Sequence, residues 1–200
     1  VDGLYLGDYY VKEISPSVGY LADETEHDLV CNYEGDLVAE VKRDCTSLEQ
    51  VMKQPFQIIK AANNGKTDAD LLKGAGFTAY LESSLTKKAD GNYEFASATP
   101  VVIGENGATE MFTDEKGYAC SIALPYGTYI VRETTTPHNY TPVDDFTVRI
   151  TENNPNQPQT WRVLLDDEFE AKLKIIKQDD ETKKPVLQKN TEFKIYDLDH

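Results

Sequence analysis

Residues 123–140, ALPYGTYIVRETTTPHNY, decide the fold because a similar stretch occurs earlier in the chain. Residues 3–20 read GLYLGDYYVKEISPSVGY, and the two stretches are 120 positions apart. Self-similarity at a fixed spacing is the signature of a repeated structural unit. The identical pairs include Gly7 and Gly127, Tyr9 and Tyr129, Val11 and Val131, Glu13 and Glu133, and Tyr20 and Tyr140.

A second set of segments repeats at nearly the same spacing. Residues 56–60, FQIIK, correspond to LKIIK at 173–177, and FTAY at 77–80 corresponds to FKIY at 193–196. The offsets of 117 and 116 indicate a unit of about 115–120 residues. Residues 55–168 hold both the early and the late segments, so we predict one complete domain there. Residues 1–54 are predicted to be the end of a preceding repeat, and 169–200 the first strands of a following one.

Short runs of β-branched and aromatic residues predict an all-β fold. Five runs have this character, and Asn-Gly, Asp-Gly and Lys-Gly turns lie between them. Many short strands with frequent turns indicate a β-sandwich. The runs are residues 56–60, 76–81, 128–133, 146–150 and 161–165. One short helix is predicted near residues 48–53.

Composition excludes several classes of function. The chain of 200 residues carries 35 acidic and 20 basic side chains, a net charge of −15, which argues against binding nucleic acid or an anionic membrane surface. Its apolar runs are too short to span a bilayer. Its three cysteines and three scattered histidines lack the spacing of a metal site, so we predict neither metal nor cofactor.

The quoted segments resemble the B-type repeats of Gram-positive collagen adhesins and the SpaA-type pilin domains, a prealbumin-like family. The resemblance rests on the lysine strand at 56–60, Gly-Ala-Gly-Phe at 74–77, Thr-Asp-Glu-Lys-Gly-Tyr at 113–118 and the motif at 124–140. It implies prealbumin-like, inverse immunoglobulin-like β-sandwiches in tandem. The family usually ends its last strand with Asn and sometimes with Asp, and Asp166 and Asp167 stand at that place here.

Members of this family typically form an intramolecular isopeptide bond. The resemblance implies that Lys60 is the nucleophile, Glu133 the proton shuttle and Asp166 or Asp167 the electrophile. The strand pattern agrees with these roles, because Lys60 shares a face with Phe56 and Ile58. Glu133 likewise follows two apolar residues at alternate positions, Tyr129 and Val131. Charged groups in line with core residues are costly unless they pair, and burial favours the neutral forms that react.

The electrophile remains open between two neighbours. Alternation along residues 161–167 places Asp167 on the face of Trp161, Val163 and Leu165. Family spacing before the next lysine strand favours Asp166, and a bulge at the strand end would reconcile the two. In the flanking repeats the equivalent residues are predicted to be Glu13, Asp44 and Lys177.

The leading functional prediction is structural. The chain resembles a stalk segment of a cell-wall-anchored, extracellular surface adhesin or pilin-like protein, with neighbouring repeats as its partners. The alternative is a binding module for a host matrix protein or a glycan. No Ser/His/Asp constellation, phosphate-binding loop or metal motif supports an enzyme, so we predict only the autocatalytic cross-link.

Overall fold

A computed structural model describes residues 2–66, 70–169, 172–187 and 191–196. The chain divides into two units, Val1–Phe169 and Glu170–His200. Strands in the first unit are β1 (Gly7–Val11), β2 (Tyr20–Leu21), β3 (His27–Cys31), β4 (Gln50–Val51), β5 (Lys53–Gln54), β6 (Gln57–Ala62), β7 (Gly76–Leu81), β8 (Thr86–Lys87), β9 (Tyr93–Glu94), β10 (Glu110–Phe112), β11 (Tyr118–Cys120), β12 (Leu124–Pro125), β13 (Gly127–Thr135), β14 (Phe146–Ile150) and β15 (Arg162–Asp166). Two 3-10 turns cover Glu82–Ser84 and Glu105–Gly107.

Two sheets, built from strands between Gln57 and Asp166, form a β-sandwich. One has the strand order β10-β7-β13-β14, with antiparallel pairing throughout. The other has the order β11-β6-β15, in which β6 and β15, the first and last strands of the sandwich, run parallel. The all-β sandwich predicted from the sequence is confirmed, and β7 and β14 have the predicted bounds.

The core lies between the two sheets and is filled by alternate residues of their strands. Apolar residues at every second position of a strand point to one face, which is why short runs of β-formers suffice to build it. The fully buried members include Phe56, Ile58, Phe77, Val131, Val148 and Ile150.

The helix predicted near residues 48–53 is wrong. This stretch contains β4 and β5 instead, and its backbone groups bond to distant segments rather than along the chain. The Met52 amide donates to the Gly19 carbonyl at 2.8 Å, and the Tyr126 amide donates to the Met52 carbonyl at 2.8 Å. Strand partners remote in sequence therefore override the local helical preference.

Candidate cross-linking site

Lys60 lies near the middle of β6 with its side chain in the core. It follows Phe56 and Ile58 at alternate positions, and all three residues are 0% exposed. Its backbone is held on both sides, because its amide donates to the Gly117 carbonyl at 2.7 Å and its carbonyl accepts from the Leu72 amide at 2.9 Å. The position of the lysine is therefore set by the sheet and by the turn that contains Gly117.

Glu133 reaches the same place from the opposite sheet. It lies on β13, two residues beyond the buried Val131, at a point where the pairing with β7 shifts register before Thr135. Its carboxylate oxygen Oε2 accepts the backbone amide of Val143 at 3.0 Å. One hydrogen bond from the chain therefore orients the buried carboxylate.

Asp166, the last residue of β15, points inward and is 1% exposed. The Asn63 amide donates to its backbone carbonyl at 2.7 Å, which ties the end of β15 to the end of β6. Asp167 is exposed, and its Oδ1 accepts from Asn63 Nδ2 at 2.6 Å. The structure thus brings Asp166, and not Asp167, to Lys60.

The side of β15 that faces the core is opposite to the one that the alternation of apolar residues suggested. Trp161, Val163 and Leu165 are exposed, and Trp161 packs edge-on against Tyr118 with ring centroids 5.1 Å apart. Leu164 packs against the core instead, and Asp166 follows it on the inner face. No bulge is needed within β15, whose residues pair with β6 without a break.

Lys60, Glu133 and Asp166 make a closed cluster in the core. Lys60 Nζ lies 2.8 Å from Glu133 Oε2 and in direct contact with Asp166 Oδ1, and all three side chains are 0% exposed. The ring of Phe77 covers the amine, its centroid 5.7 Å from Nζ. Two buried oxygens, Glu133 Oε1 and Asp166 Oδ2, have no hydrogen-bond partner, a costly condition in a dry core.

The cluster holds two carboxyl groups and one amine, so it cannot be neutral with every group ionised. Burial raises the pKa of Asp166 to about 6, and the nearby Glu133 carboxylate acts in the same direction, while Lys60 opposes both effects. Burial therefore favours the neutral acid form of Asp166 more than water does, beside the amine of Lys60 and the carboxyl group of Glu133. These are the three groups that direct amide formation requires.

Glu13 and Asp44, two of the residues predicted as equivalents in the flanking repeats, lie outside this cluster. Glu13 is half-buried and accepts the Asp23 amide at 2.6 Å, whereas Asp44 is exposed. Lys177 belongs to the second unit, where its Nζ donates to Thr191 Oγ1 at 3.2 Å. Sequence reasoning missed Gly117, although the turn that carries it was part of the quoted resemblance.

The fold and the buried cluster define a prealbumin-like β-sandwich with a lysine and an aspartate on its first and last strands. Residues 55–162 match the SpaA prealbumin-like fold domain, and because the match covers more than half of the chain, the protein belongs to that family.

Among solved structures, the chain is similar to the Bacillus anthracis TIE protein, with 27% identity and a TM-score of 0.51 over 81% of this chain and 25% of that one. It thus spans a quarter of that relative's length. GBS52, the minor pilin of Streptococcus agalactiae, gives 15% identity and a TM-score of 0.47 over 88% and 66% of the two chains. The C-terminal domain of the shaft pilin SpaA from Lactobacillus rhamnosus GG gives 21% and 0.38 over 59% and 99%. A comparison with curated proteins found no match.

Among the described residues, no helix has the length and apolar character needed to cross a membrane. No cluster of three or more His, Cys, Asp or Glu side chains suited to a metal ion occurs in that part of the chain. The fold and the family match make this a prealbumin-like domain of the SpaA family.

Proposed function

We propose that the protein is a stalk segment of a cell-wall-anchored surface adhesin or pilin-like protein, stiffened by an isopeptide bond between Lys60 and Asp166. The observation that carries the proposal is the fully buried contact of Lys60 with both Glu133 and Asp166. Ionisable groups with perturbed pKa values cluster at functional sites, and here Lys60 and Asp166 lie on the first and last strands of the sandwich.

The three side chains supply every atom and proton that the proposed reaction needs. The Lys60 ammonium passes one proton to the Glu133 carboxylate, and the neutral amine attacks the carboxyl carbon of the protonated Asp166. Glu133 relays protons as the tetrahedral intermediate collapses, and the Asp166 hydroxyl leaves as water. The products are an amide, one water and a protonated Glu133, so every charge disappears from the core. The chemistry requires no cofactor and turns over no external substrate.

The proposed bond has a mechanical consequence. Pulling on the two ends of the domain loads β6 and β15, which lie side by side in parallel. With an amide between them, the load passes from Lys60 directly to Asp166, and the chain between these residues, 106 positions apart, carries no force. That intervening chain would otherwise extend by roughly 350 Å.

The proposed organisation is one complete domain at residues 55–168, the end of a preceding repeat at 1–54 and the first strands of a following repeat at 169–200. Neighbouring repeats are then the immediate partners of the domain. This arrangement follows from the spacing of the repeated segments and is compatible with the family match to residues 55–162.

Intact-mass spectrometry tests the proposal directly. The protein is expected to weigh one water less than its sequence, and digestion should yield a branched peptide that contains Lys60 and Asp166. The Lys60→Ala variant should regain the full mass, whereas Lys73→Ala, at an exposed lysine paired with Glu115, should remain short by one water. A wild-type chain of full mass would refute the bond.

A binding role is the second candidate, and one observation favours it. Trp161 is 55% exposed beside Tyr118 on the outer face of the three-stranded sheet, an arrangement suited to stacking on a sugar ring. A glycan array probed with the wild-type protein and with Trp161→Ala tests this role. Loss of a signal in the variant supports it, and the absence of any signal counts against it.

A further inference from the structure

The strand β15 ends in two pairs of identical residues, Leu164-Leu165 and Asp166-Asp167. In each pair one residue faces the core and its neighbour faces solvent. Leu164 packs against the core and Asp166 is buried, whereas Leu165 and Asp167 are exposed. Because successive residues of a strand alternate between faces, a shift of β15 by one residue would exchange the members of both pairs. The core face would then still present a leucine and an aspartate.

Burial by itself does not select the register that β15 adopts. Its core face begins with Arg162, which is half-buried and has its guanidinium carbon 5.9 Å from the centroid of the Phe146 ring. The apolar Val163 lies on the outer face and is exposed. A shift by one residue would bring Val163 to the place of Arg162 and would turn Arg162 outward. The pattern of apolar residues therefore favours the shifted register, in which Asp167 would meet Lys60.

The backbone hydrogen bonds at the end of β15 do not discriminate between the two registers. The Asn63 amide donates to the Asp166 carbonyl at 2.7 Å, and the Thr141 amide donates to the Asp167 carbonyl at 2.9 Å. Every residue of a strand offers the same kind of carbonyl, so after a shift the next residue along the chain would accept each bond. Side-chain contacts are therefore needed to hold the observed register.

One such contact lies at the end of the strand. Asn63, the first residue beyond β6, donates from Nδ2 to Oδ1 of Asp167 at 2.6 Å. This bond holds the Asp167 carboxylate on the outer side of the strand. In the shifted register Glu168, whose side chain is longer by one methylene, would stand opposite Asn63. The contact with Asn63 therefore keeps Asp167 away from Lys60 and leaves Asp166 inside.

A second contact lies at the start of the strand. Gln159 is held there, because its amide donates to the Pro55 carbonyl at 3.0 Å and its Nε2 donates to the Arg149 carbonyl at 2.6 Å. A shift of β15 would add one residue after Gln159, as a bulge around Trp161. The Trp161 ring packs edge-on against Tyr118 with ring centroids 5.1 Å apart, and the bulge would disrupt this packing.

We propose that Asn63 and Trp161 fix the register of β15. They thereby select Asp166, rather than Asp167, as the partner of Lys60. Both are positioning residues, because each acts through the strand that carries the electrophile. The selection of an electrophile rests on the proposed cross-link, whereas the register is a property of the fold and is measurable without it. When both contacts are removed, the shifted register should form, and amide formation should trap it.

Mass spectrometry on an Asp166→Ala background tests the selection. This protein should keep its full sequence mass, because Asp167 is held outside the core. With Asn63→Ala and Trp161→Ala added, the Lys60 amine should attack the carboxyl carbon of Asp167, and the carboxyl hydroxyl should leave as water. The mass should then fall by one water, and digestion should yield a branched peptide that contains Lys60 and Asp167.

The matched control carries alanine at Asn64 and Phe112 instead. Asn64 Nδ2 contacts Asp70, and Phe112 is an exposed aromatic residue of the other sheet, so the Asp166→Ala background should keep its full mass with both replaced. A cross-linked wild type together with a triple variant of full mass overturns the selection. A wild type of full mass refutes the proposed cross-link instead, and the register is then decided by the next measurement.

NMR spectroscopy of unlinked proteins measures the register directly. With Lys60→Ala, cross-strand contacts should join residue 60 to Leu164, the pair found in the structure. Adding the two loosening substitutions should produce a second set of signals, in which residue 60 contacts Leu165. The control pair of substitutions should leave the first set alone. A single, unshifted set of contacts in the loosened protein overturns the proposal, whether or not the wild type is cross-linked.

Discussion

Replacing Glu133 with glutamine should prevent the proposed cross-link without disrupting the fold. The side chain keeps its shape and a carbonyl oxygen for the Val143 amide and for Lys60, but it can no longer accept the lysine proton. Lys60 and Asp166 should then stay unlinked as a buried ion pair, and the sandwich should still form. The mass of the Glu133→Gln protein is expected to equal the sequence mass, one water above that of the wild type.

The loss of stability can be worked out from the loop that the bond closes. Lys60 and Asp166 are 106 positions apart, and closing such a loop lowers the entropy of the unfolded chain by the equivalent of about 5 kcal/mol, as for a disulfide of the same span. For a domain of this size that free energy corresponds to about 20 °C in Tm. Calorimetry of the variant beside the wild type measures the difference.

The matched control is Glu152→Gln, at an exposed glutamate just beyond β14, which should keep both the missing water and the wild-type Tm. The reasoning fails if Glu133→Gln still loses the water completely, because a proton acceptor would then be unnecessary. It also fails if the variant is unlinked but melts with the wild type, because the bond would then contribute nothing to stability.

Three further predictions follow from the same contacts. Asp166→Ala should restore the full mass, whereas Asp167→Ala should stay cross-linked, and the reverse result on mass spectrometry would exchange their roles. Burial raises the pKa of Asp166 from 3.8 to about 6 while Lys60 opposes the shift, so removing the amine in the unlinked Lys60→Ala variant should raise that pKa further. The contribution of Asp166 to stability should then be fully present below pH 4 and fall by at least about 3 kcal/mol as the pH rises past 6; denaturant titrations should show that this fall is absent once Asp166 is also replaced. A Cβ at Gly117 would lie 2.3 Å from the Lys60 carbonyl oxygen, so Gly117→Ala should lower stability by at least about 2 kcal/mol and slow the cross-linking. Gly91→Ala, also at positive φ but in open space, should lower stability by about 1 kcal/mol and leave the cross-linking rate unchanged. Thermal melts and time-resolved mass measurement follow the two effects.

The sequence by itself determined the fold class, the repeat and the inward direction of two of the three clustered residues. Alternate residues of a strand point to the same face. Lys60 therefore points to the core with Phe56 and Ile58, and Glu133 points to the core with Val131. These strands lie in the interior of their sheets, where apolar residues mark the buried face reliably. The resemblance then indicated what such buried groups do.

The choice between Asp166 and Asp167 needed the tertiary structure. Alternation favoured Asp167 because Trp161, Val163 and Leu165 are apolar, but β15 is an edge strand and these three side chains lie on its outer face. Parallel pairing with β6 sets which face turns inward, and that pairing joins residues about a hundred positions apart. Local sequence contains no information on such a register.

The same limit explains the segment before the sandwich. Residues 48–53 have a locally helical pattern, yet their backbone groups bond to Gly19 and Tyr126, and these long-range bonds decide their conformation. Sequence spacing identified the repeated strands, but the conformation of the segment between them depended on hydrogen bonds that only the folded chain can form.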